Sequence, residues 1–591
     1  MPTSWQLCEQ SLVCGMLNKE LIRLDSRSAL YCPEYLHKTF AGNCFDLTDL
    51  KIDDPFVKAL KDAGAEHEKK VHQFIKNLNL SVLQINDSDS DKSVQLETLN
   101  AMRRSDIDIL FGAYIGKYFE IELFGKEISN KSSKPDLLVR IGISAENNPI
   151  WVPVDIKSHE AFDKSNKSNA IRQTKLPNLD INGSSEIKGR FSDKDAMQLS
   201  HYLSHLTLVG FTDGKNLAGI IGKDGQFIHW SYLDRTSFGR GNSAISAIQI
   251  YKKNFDKSLD IAHQALERSK NPTLPLVTIP KRKSGDFGCN LCEFQKICLK
   301  YMQDYDSGNG HVTLLSEVTA NAADENFPGI EAISQLAQAT GLSPFGMKSI
   351  LRAKVWQDKK ARLINPSEAF DLPEFDIEID IDLENSQGIF QEMDLEDIPG
   401  VDSVYLYGYG LHKRYENPDW KTAELGYFED YEKDKENEYR LLLNMWRFLI
   451  DQINSANENG RSIGVFHYSQ HEVTWWRNFA KRYAGYPNVP SQTEIENVIA
   501  RYFVDLYQYT RKIAFPCTGY SIKTLAKEAS FTWQVDDAGG SNSLIKYQIA
   551  TSSNSTSEEL EKARIWLRSY NRDDVLATFA VRNYIRMLNL S

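Results

Sequence analysis

From Phe375 to Asp382 apolar and acidic residues alternate without a break: Phe375, Ile377, Ile379 and Ile381 against Asp376, Glu378, Asp380 and Asp382. A period of two is that of a β-strand, whose successive side chains leave on opposite sides. The segment therefore predicts a strand with one apolar and one acidic face. No lysine or arginine occurs between Leu363 and His412. A row of carboxylates without local cations is either solvated or gathered around a metal ion.

The rest of the 591-residue chain is that of an ordinary globular protein, with 41% hydrophobic and 25% charged residues, which excludes a wholly disordered chain. No apolar run reaches the roughly 20 residues that cross a bilayer. The N-terminus carries no basic–apolar export pattern, so the expected compartment is the cytoplasm and no membrane partner is expected. Eight cysteines there read as thiols or metal ligands rather than disulfides. Cys8, Cys14, Cys44 and Cys517 have no partner pattern and read as buried thiols. The net charge of −11 requires any nucleic-acid surface to be a local basic patch.

The expected fold is multidomain α/β, in three regions: an α/β unit over 1–305, a helical connector over 306–365 and a second α/β unit over 366–591. A break rich in Gly, Asn, Asp and Ala at 304–326 sets the first boundary. Polar stretches at 86–93, 538–543 and 551–559 read as surface loops. In the connector, Phe327-Pro328-Gly329 and later Gly341 separate two short amphipathic helices. They resemble a degenerate helix–hairpin–helix, and a plain helical spacer is the alternative.

The first unit carries four features. Asp136 in Lys134-Pro135-Asp136 and Asp155 in Val154-Asp155-Ile156-Lys157 lie on two short predicted strands, with Asp155 and Lys157 on one face. Two carboxylates so placed could hold a hard divalent cation such as Mg²⁺ or Mn²⁺, and the lysine could orient water and stabilise charge at phosphorus. His67, on a predicted helix over 55–78, is a candidate further ligand. Gln198 and Tyr202 are spaced i, i+4 on a predicted helix over 193–206 and share a face, suited to phosphate or base contact. Cys289-x2-Cys292-x5-Cys298 closes the unit. Three thiolates need a fourth ligand, and Cys32 is the best supplier. Thiolate ligation suits an iron–sulfur cluster or zinc.

The second unit offers Asp376 and Glu378 on the acidic strand, with Glu378-Ile379-Asp380 fitting nearly as well. Glu472 follows a strand over 463–468, and Asp505 is a rival or additional acid. Tyr570 and Asp574 are i, i+4 on a helix. Acids from separated segments with a tyrosine nearby suit a two-metal phosphodiester site, in which the tyrosine positions the nucleophile.

The order Cys32, His67, Asp136, Asp155 with Lys157, Gln198 with Tyr202, then Cys289, Cys292 and Cys298 resembles the RecB-type PD-(D/E)xK nucleases with an iron–sulfur cluster, as in AddB-like nucleases. The resemblance spans nearly all of 20–305. It implies a restriction-endonuclease-like core, metal ligation by His67, Asp136 and Asp155, and a structural [4Fe-4S] cluster stapling the ends, with zinc as the other occupant. Residues 370–591 resemble the RNase H-like DEDDy 3′–5′ exonucleases, in the branch fused to RecB-like domains. Asp376 and Glu378 match the family's Asp-x-Glu, and Tyr570 and Asp574 its Tyr-x3-Asp. Glu472 stands where that family has aspartate, and Gly519-Tyr520-Ser521-Ile522-Lys523 fits the branch as a helix start contacting substrate. Together these imply a metal-dependent DNA nuclease acting on single strands or ends, in repair, recombination or defence. RNA processing, and a binding scaffold with a decayed second site, are the other readings. No phosphate-loop motif is present, so unwinding would need a separate helicase.

Overall fold

The computed structural model of the chain describes residues 22–48, 50, 55–86, 90–145, 147–164, 171–235, 245–282, 289, 292–368, 370–386, 403–417, 419–432 and 434–588. Cys8 and Cys14 lie outside the described residues. These residues divide into two compact units. The first holds those up to Thr48 and Lys61–Ile279; the second holds Asp49–Leu60 and the chain from Pro280 on. The division thus falls at Ile279 rather than at 305, and the expected connector belongs to the second unit. Among the described residues no helix is long and apolar enough to cross a membrane.

The first unit is built on a mixed sheet of eight strands: β1 (Val82–Gln84), β2 (Ile109–Phe111), β3 (Leu137–Ile143), β4 (Pro149–Ile156), β5 (Ile171–Lys175), β6 (Ser185–Ile187), β7 (Leu217–Ile221) and β8 (Phe227–Tyr232). Their order is β1-β2-β3-β4-β7-β8-β5-β6. Strands covered on both faces read as continuous apolar runs, as Leu137-Leu138-Val139 does. Leu137 and Val139 pack with Val71 and Ile75 of helix α1 (Pro55–Lys76). Leu138 turns the other way, to Leu206 of helix α2 (Asp193–Leu208). Helix α3 (Ala247–Lys270) adds Tyr251 and Phe255 to the core around Leu199 and Leu203. β3 and β4 are antiparallel, with Leu137 opposite Val154, so one residue further Asp136 lies opposite Asp155.

In the second unit, helix α4 (Gln295–Asp304) is followed by helices at Ala320–Asn326, Ile333–Gln338 and Pro344–Asp358, which enclose Met302, Val312, Leu314, Leu336 and Ile350. Val312 and Leu314 fall inside the expected break and are core, so it is no linker. The last two helices flank the turn at Gly341, where φ of +72° favours glycine.

A sheet of five strands follows: β9 (Ile377–Asn385), β10 (Val404–Lys413), β11 (Glu424–Glu429), β12 (Ile463–His467) and β13 (Phe503–Asp505), in the order β11-β10-β9-β12-β13. The first three pair antiparallel, whereas β9, β12 and β13 run parallel. The predicted alternation holds along β9. Ile377, Ile379, Ile381 and Leu383 enter one core with Leu442 and Leu449 of helix α5 (Lys435–Glu458) and Trp476 and Phe479 of helix α6 (His471–Arg482). Glu378, Asp380, Asp382 and Glu384 leave on the other face, which is covered rather than solvated. After helix α7 (Ile522–Glu528), the 31-residue helix α8 (Ser557–Met587) supplies the cover. All three expected loops are partly helical: a helix at Asp91–Met102 takes the end of 86–93, Gly540–Thr551 is a helix, and Thr556 and Glu559 form the capping box that starts α8.

Candidate metal centre

Helix α8 divides the acidic face of β9 in two. Arg582 and Arg586, one helical turn apart, meet its first half. The fully buried Arg582 pairs with Glu378 and, at 2.6 Å, with Asp380. Arg586 Nη2 lies 2.7 Å from Glu378 Oε1, and Arg414 Nη1 lies 3.4 Å from the same oxygen. Burial lowers the pKa of Arg582 and raises that of Asp380. These two acids are thus committed to ion pairs.

Further toward its N-terminus the helix presents Asp574, Asn571 and Tyr570 instead of arginine. Here Asp382, Glu384 and Asp574 converge, with carboxylate oxygens within 4.8 Å of one another. Among the described residues this is the one such group of three His, Cys, Asp or Glu side chains. β9 pairs with β12 only from Ile377 to Asp380, so Asp382 and Glu384 project past the parallel part of the sheet, at its carboxyl edge.

Each carboxylate has a donor that aims it. Asn571 Nδ2 donates to Asp382 Oδ2 at 2.8 Å, Trp533 Nε1 to Asp574 Oδ1 at 2.6 Å and Tyr405 Oη to Glu384 Oε2 at 3.5 Å. Gly408, opposite Asp382 on β10, lets Asn571 approach, since a Cβ there would collide with the Asn571 side-chain amide oxygen. Burial raises the pKa of all three carboxyls, and mutual repulsion adds to it for Asp382 and Glu384. Glu384 is pushed up to about 8. Lys523 lowers Glu384 and Asp574 in part. Lys523 Nζ donates to Tyr570 Oη at 2.6 Å. Burial and then Asp574 raise the Tyr570 phenol.

Tyr570 and Asp574 lie at this group of carboxylates, but Asp376 and Glu378 do not join them. Half-buried Asp376 accepts from the Ser462 backbone N–H and hydroxyl, both at 2.8 Å. Glu378 lies under the arginines, as does Asp380 of the other register. The alternation presents several equivalent acid pairs, and only the arginines of α8, some 200 residues later, decide which remain unpaired. Glu472, in the first turn of α6, is buried, 3.6 Å from His467 Nδ1, and its Oε2 has no hydrogen-bond partner. Its charge helps raise Asp382. Asp505 is a helix cap, accepting from the Tyr507 and Ser469 N–H groups at 3.0 Å and from Gln470 at 3.1 Å. Its oxygens are occupied by these donors. The sequence marks Asp382 only as one acid of the alternation and carries no site signal for Glu384, Asn571 or Trp533.

In the first unit, the edge of β3 and β4 brings together Asp136, Asp155, Lys157, Gln198 and Tyr202. Asp136 Oδ2 accepts from the Ile156 N–H at 2.7 Å. Asp155 is fully buried, 3.0 Å from Lys157 Nζ, and neither of its oxygens has an aligned hydrogen-bond donor. Lys157 Nζ donates to Gln198 Oε1 at 3.0 Å, and Gln198 Nε2 to Tyr202 Oη at 2.9 Å. Burial raises the Asp136 pKa, reinforced by Asp155. Burial opposes charge on Lys157, but Asp155, Asp136 and Asp195 outweigh it and raise its pKa. His67 is buried against Gly222, its Nε2 3.3 Å from the carbonyl oxygen, and it forms no close ligand group with Asp136 and Asp155. Burial lowers its pKa.

The half-buried thiol of Cys32 precedes a helix at Pro33–Phe40 in the first unit. Cys289, Cys292 and Cys298 belong to the second, also as half-buried thiols. The Cys292 N–H donates to the Cys289 carbonyl at 3.3 Å, and Cys298 lies in the first turns of α4. Burial pushes the Cys517 thiol up to about 11, as befits an inert core thiol.

A family model described as the RNase H superfamily matches residues 399–586. No curated protein and no solved structure matches the chain. The matched segment contains Glu472, Lys523, Tyr570 and Asp574; Asp382 and Glu384 stand just before it. The C-terminal part is thus RNase H-like, a superfamily that suggests nuclease-type phosphodiester hydrolysis.

Proposed function

We propose that the chain is a metal-dependent nuclease that hydrolyses DNA phosphodiester bonds at single strands or ends, with a reaction centre in each unit. The observation that carries this is the convergence of Asp382 and Glu384, on the strand just before the RNase H-like segment, with Asp574 inside it. Raised carboxyl pKa values and the unpartnered Glu472 Oε2 suit a site that takes up a hard divalent cation. Mg²⁺ or Mn²⁺ bound there would supply Lewis-acid activation of water and stabilise the leaving oxygen. Asp382, Glu384 and Asp574 would hold it, with Glu472 as a fourth carboxylate. Asn571 and Trp533 keep two of these carboxylates aimed. Tyr570 orients the attacking water.

In the first unit Asp136 and Asp155 would hold the cation, and Lys157 would stabilise negative charge at phosphorus. Gln198 and Tyr202 fix the lysine head. His67 is proposed as a ligand from the sequence order alone. The assignment of Cys32, Cys289, Cys292 and Cys298 to a [4Fe-4S] cluster likewise rests on sequence order, and its readout is visible absorption of anaerobically purified protein.

The experiment is cleavage of end-labelled single-stranded DNA, with matched RNA beside it, in Mn²⁺ or excess chelator. DNA cleavage that needs metal, weakens in Lys157→Ala and in Asp382→Asn, and vanishes in the double variant is the expected result. Preferential RNA cleavage would overturn the substrate, and metal-independent cleavage the chemistry.

A further inference from the structure

Resting on the proposed second-unit centre, we infer that Lys523 is a positioning residue that fixes the hydrogen-bond direction of Tyr570. An ammonium group has donors and no acceptor. Its 2.6 Å contact with the Tyr570 oxygen therefore makes the phenol the acceptor. The single phenol proton must then point away from Lys523. Asp574, one turn along α8, interacts with the phenol and can accept that proton. Tyr570 accordingly presents its one proton on the side away from Lys523, to Asp574 or to a water that takes the place of that contact. It does not take a proton from that water, which must leave toward a carboxylate.

Lys523 is built for this task. It lies in the first turn of α7, where Ser521 Oγ accepts the Thr524 N–H at 3.2 Å and fixes the helix start. A second donor goes to the Ala538 carbonyl at 3.1 Å. The ammonium lies 4.5 Å from the Tyr570 ring centre and 5.8 Å from that of Trp533, whose indole aims Asp574. The Trp566 ring stacks on Tyr570 at 5.1 Å. The phenol is thus held by both the ammonium and the indole. The same ammonium offsets charge on Glu384 and Asp574. Removing it should therefore strengthen cation binding while it weakens turnover, which general damage to the fold would not do.

The test uses the full chain carrying Asp155→Asn, so that the second centre is read alone. Mn²⁺ affinity is measured by paramagnetic resonance, and single-turnover cleavage of a labelled DNA strand is measured beside it. Lys523→Met is expected to tighten Mn²⁺ binding by roughly fivefold, the effect of one unit charge at high dielectric. It should slow cleavage by about 10- to 100-fold. Tyr570→Phe added to Lys523→Met should cost nothing further, and Lys523→Arg should restore part of the rate. Weaker Mn²⁺ binding in Lys523→Met, or penalties of the two variants that multiply, would overturn the inference alone. A parent that takes up no Mn²⁺, or whose uptake survives Asp574→Asn, would overturn the proposed centre and the inference with it.

Discussion

Asn571 reaches from α8 to Asp382 on β9, donating at 2.8 Å to the side-chain oxygen and at 3.2 Å to the backbone carbonyl of the same residue. The helix can come this close because position 408, beside Asp382 in the next strand, is glycine. Replacing Asn571 by Ala should lower Mn²⁺ affinity or second-unit cleavage by about 10- to 100-fold, the usual effect of removing a group that orients a ligand. Gly408→Ala should act in the same direction by pushing the helix away. Binding and rate measurements on both variants check this, with thermal melting to separate loss of fold.

Arg582 is buried between Glu378 and Asp380. Removing one partner of a buried pair leaves charge stranded in a low dielectric, at a cost of about 3–5 kcal/mol. Arg582→Met should destabilise the second unit by that amount in denaturant unfolding. The triple variant with Glu378→Gln and Asp380→Asn should recover most of it.

The sequence revealed a good deal here, for reasons that particular residues make plain. The period of two from Phe375 on is a local property, so β9 and its faces were legible. Tyr570 and Asp574 were legible too, because i, i+4 spacing is enough to set them on one helix face. The choice of Asp382 and Glu384 over Asp376 and Glu378 was not. It depends on where Arg582 and Arg586 land after the chain has folded back, and nothing near the strand records that. Trp533 carried no signal, being a loop residue whose partner is 41 positions away.

The pH dependence follows from Glu384. Its folded pKa of about 8 lies above its ordinary value of 4.5, so its contribution to the metal-free fold is full below 4.5 and is lost as pH rises through about 8. Cation binding needs the ionised form, so it gains strength over the same range. The rise in melting temperature on adding Mg²⁺ should be larger at pH 8 than at pH 6. Scans with and without Mg²⁺ at both values check it, and Glu384→Gln should shrink the difference.

In the first unit, Lys157 is the cation paired with the buried Asp155 and it holds Gln198 in place. Lys157→Ala should destabilise this unit by about 3–5 kcal/mol, for the same reason as at Arg582. Adding Asp155→Asn should return part of that loss. Local hydrogen exchange along β3 and β4 measures both effects directly.

The second centre as proposed rests on Asp382 and not on Asp376. The most direct measurement is Mn²⁺-dependent cleavage of an end-labelled DNA strand in a Lys157→Ala background, comparing Asp382→Asn with Asp376→Asn. Asp382→Asn should abolish the remaining cleavage, while Asp376→Asn keeps the rate of its parent. Cleavage lost with Asp376→Asn and retained with Asp382→Asn would move the second centre to Asp376.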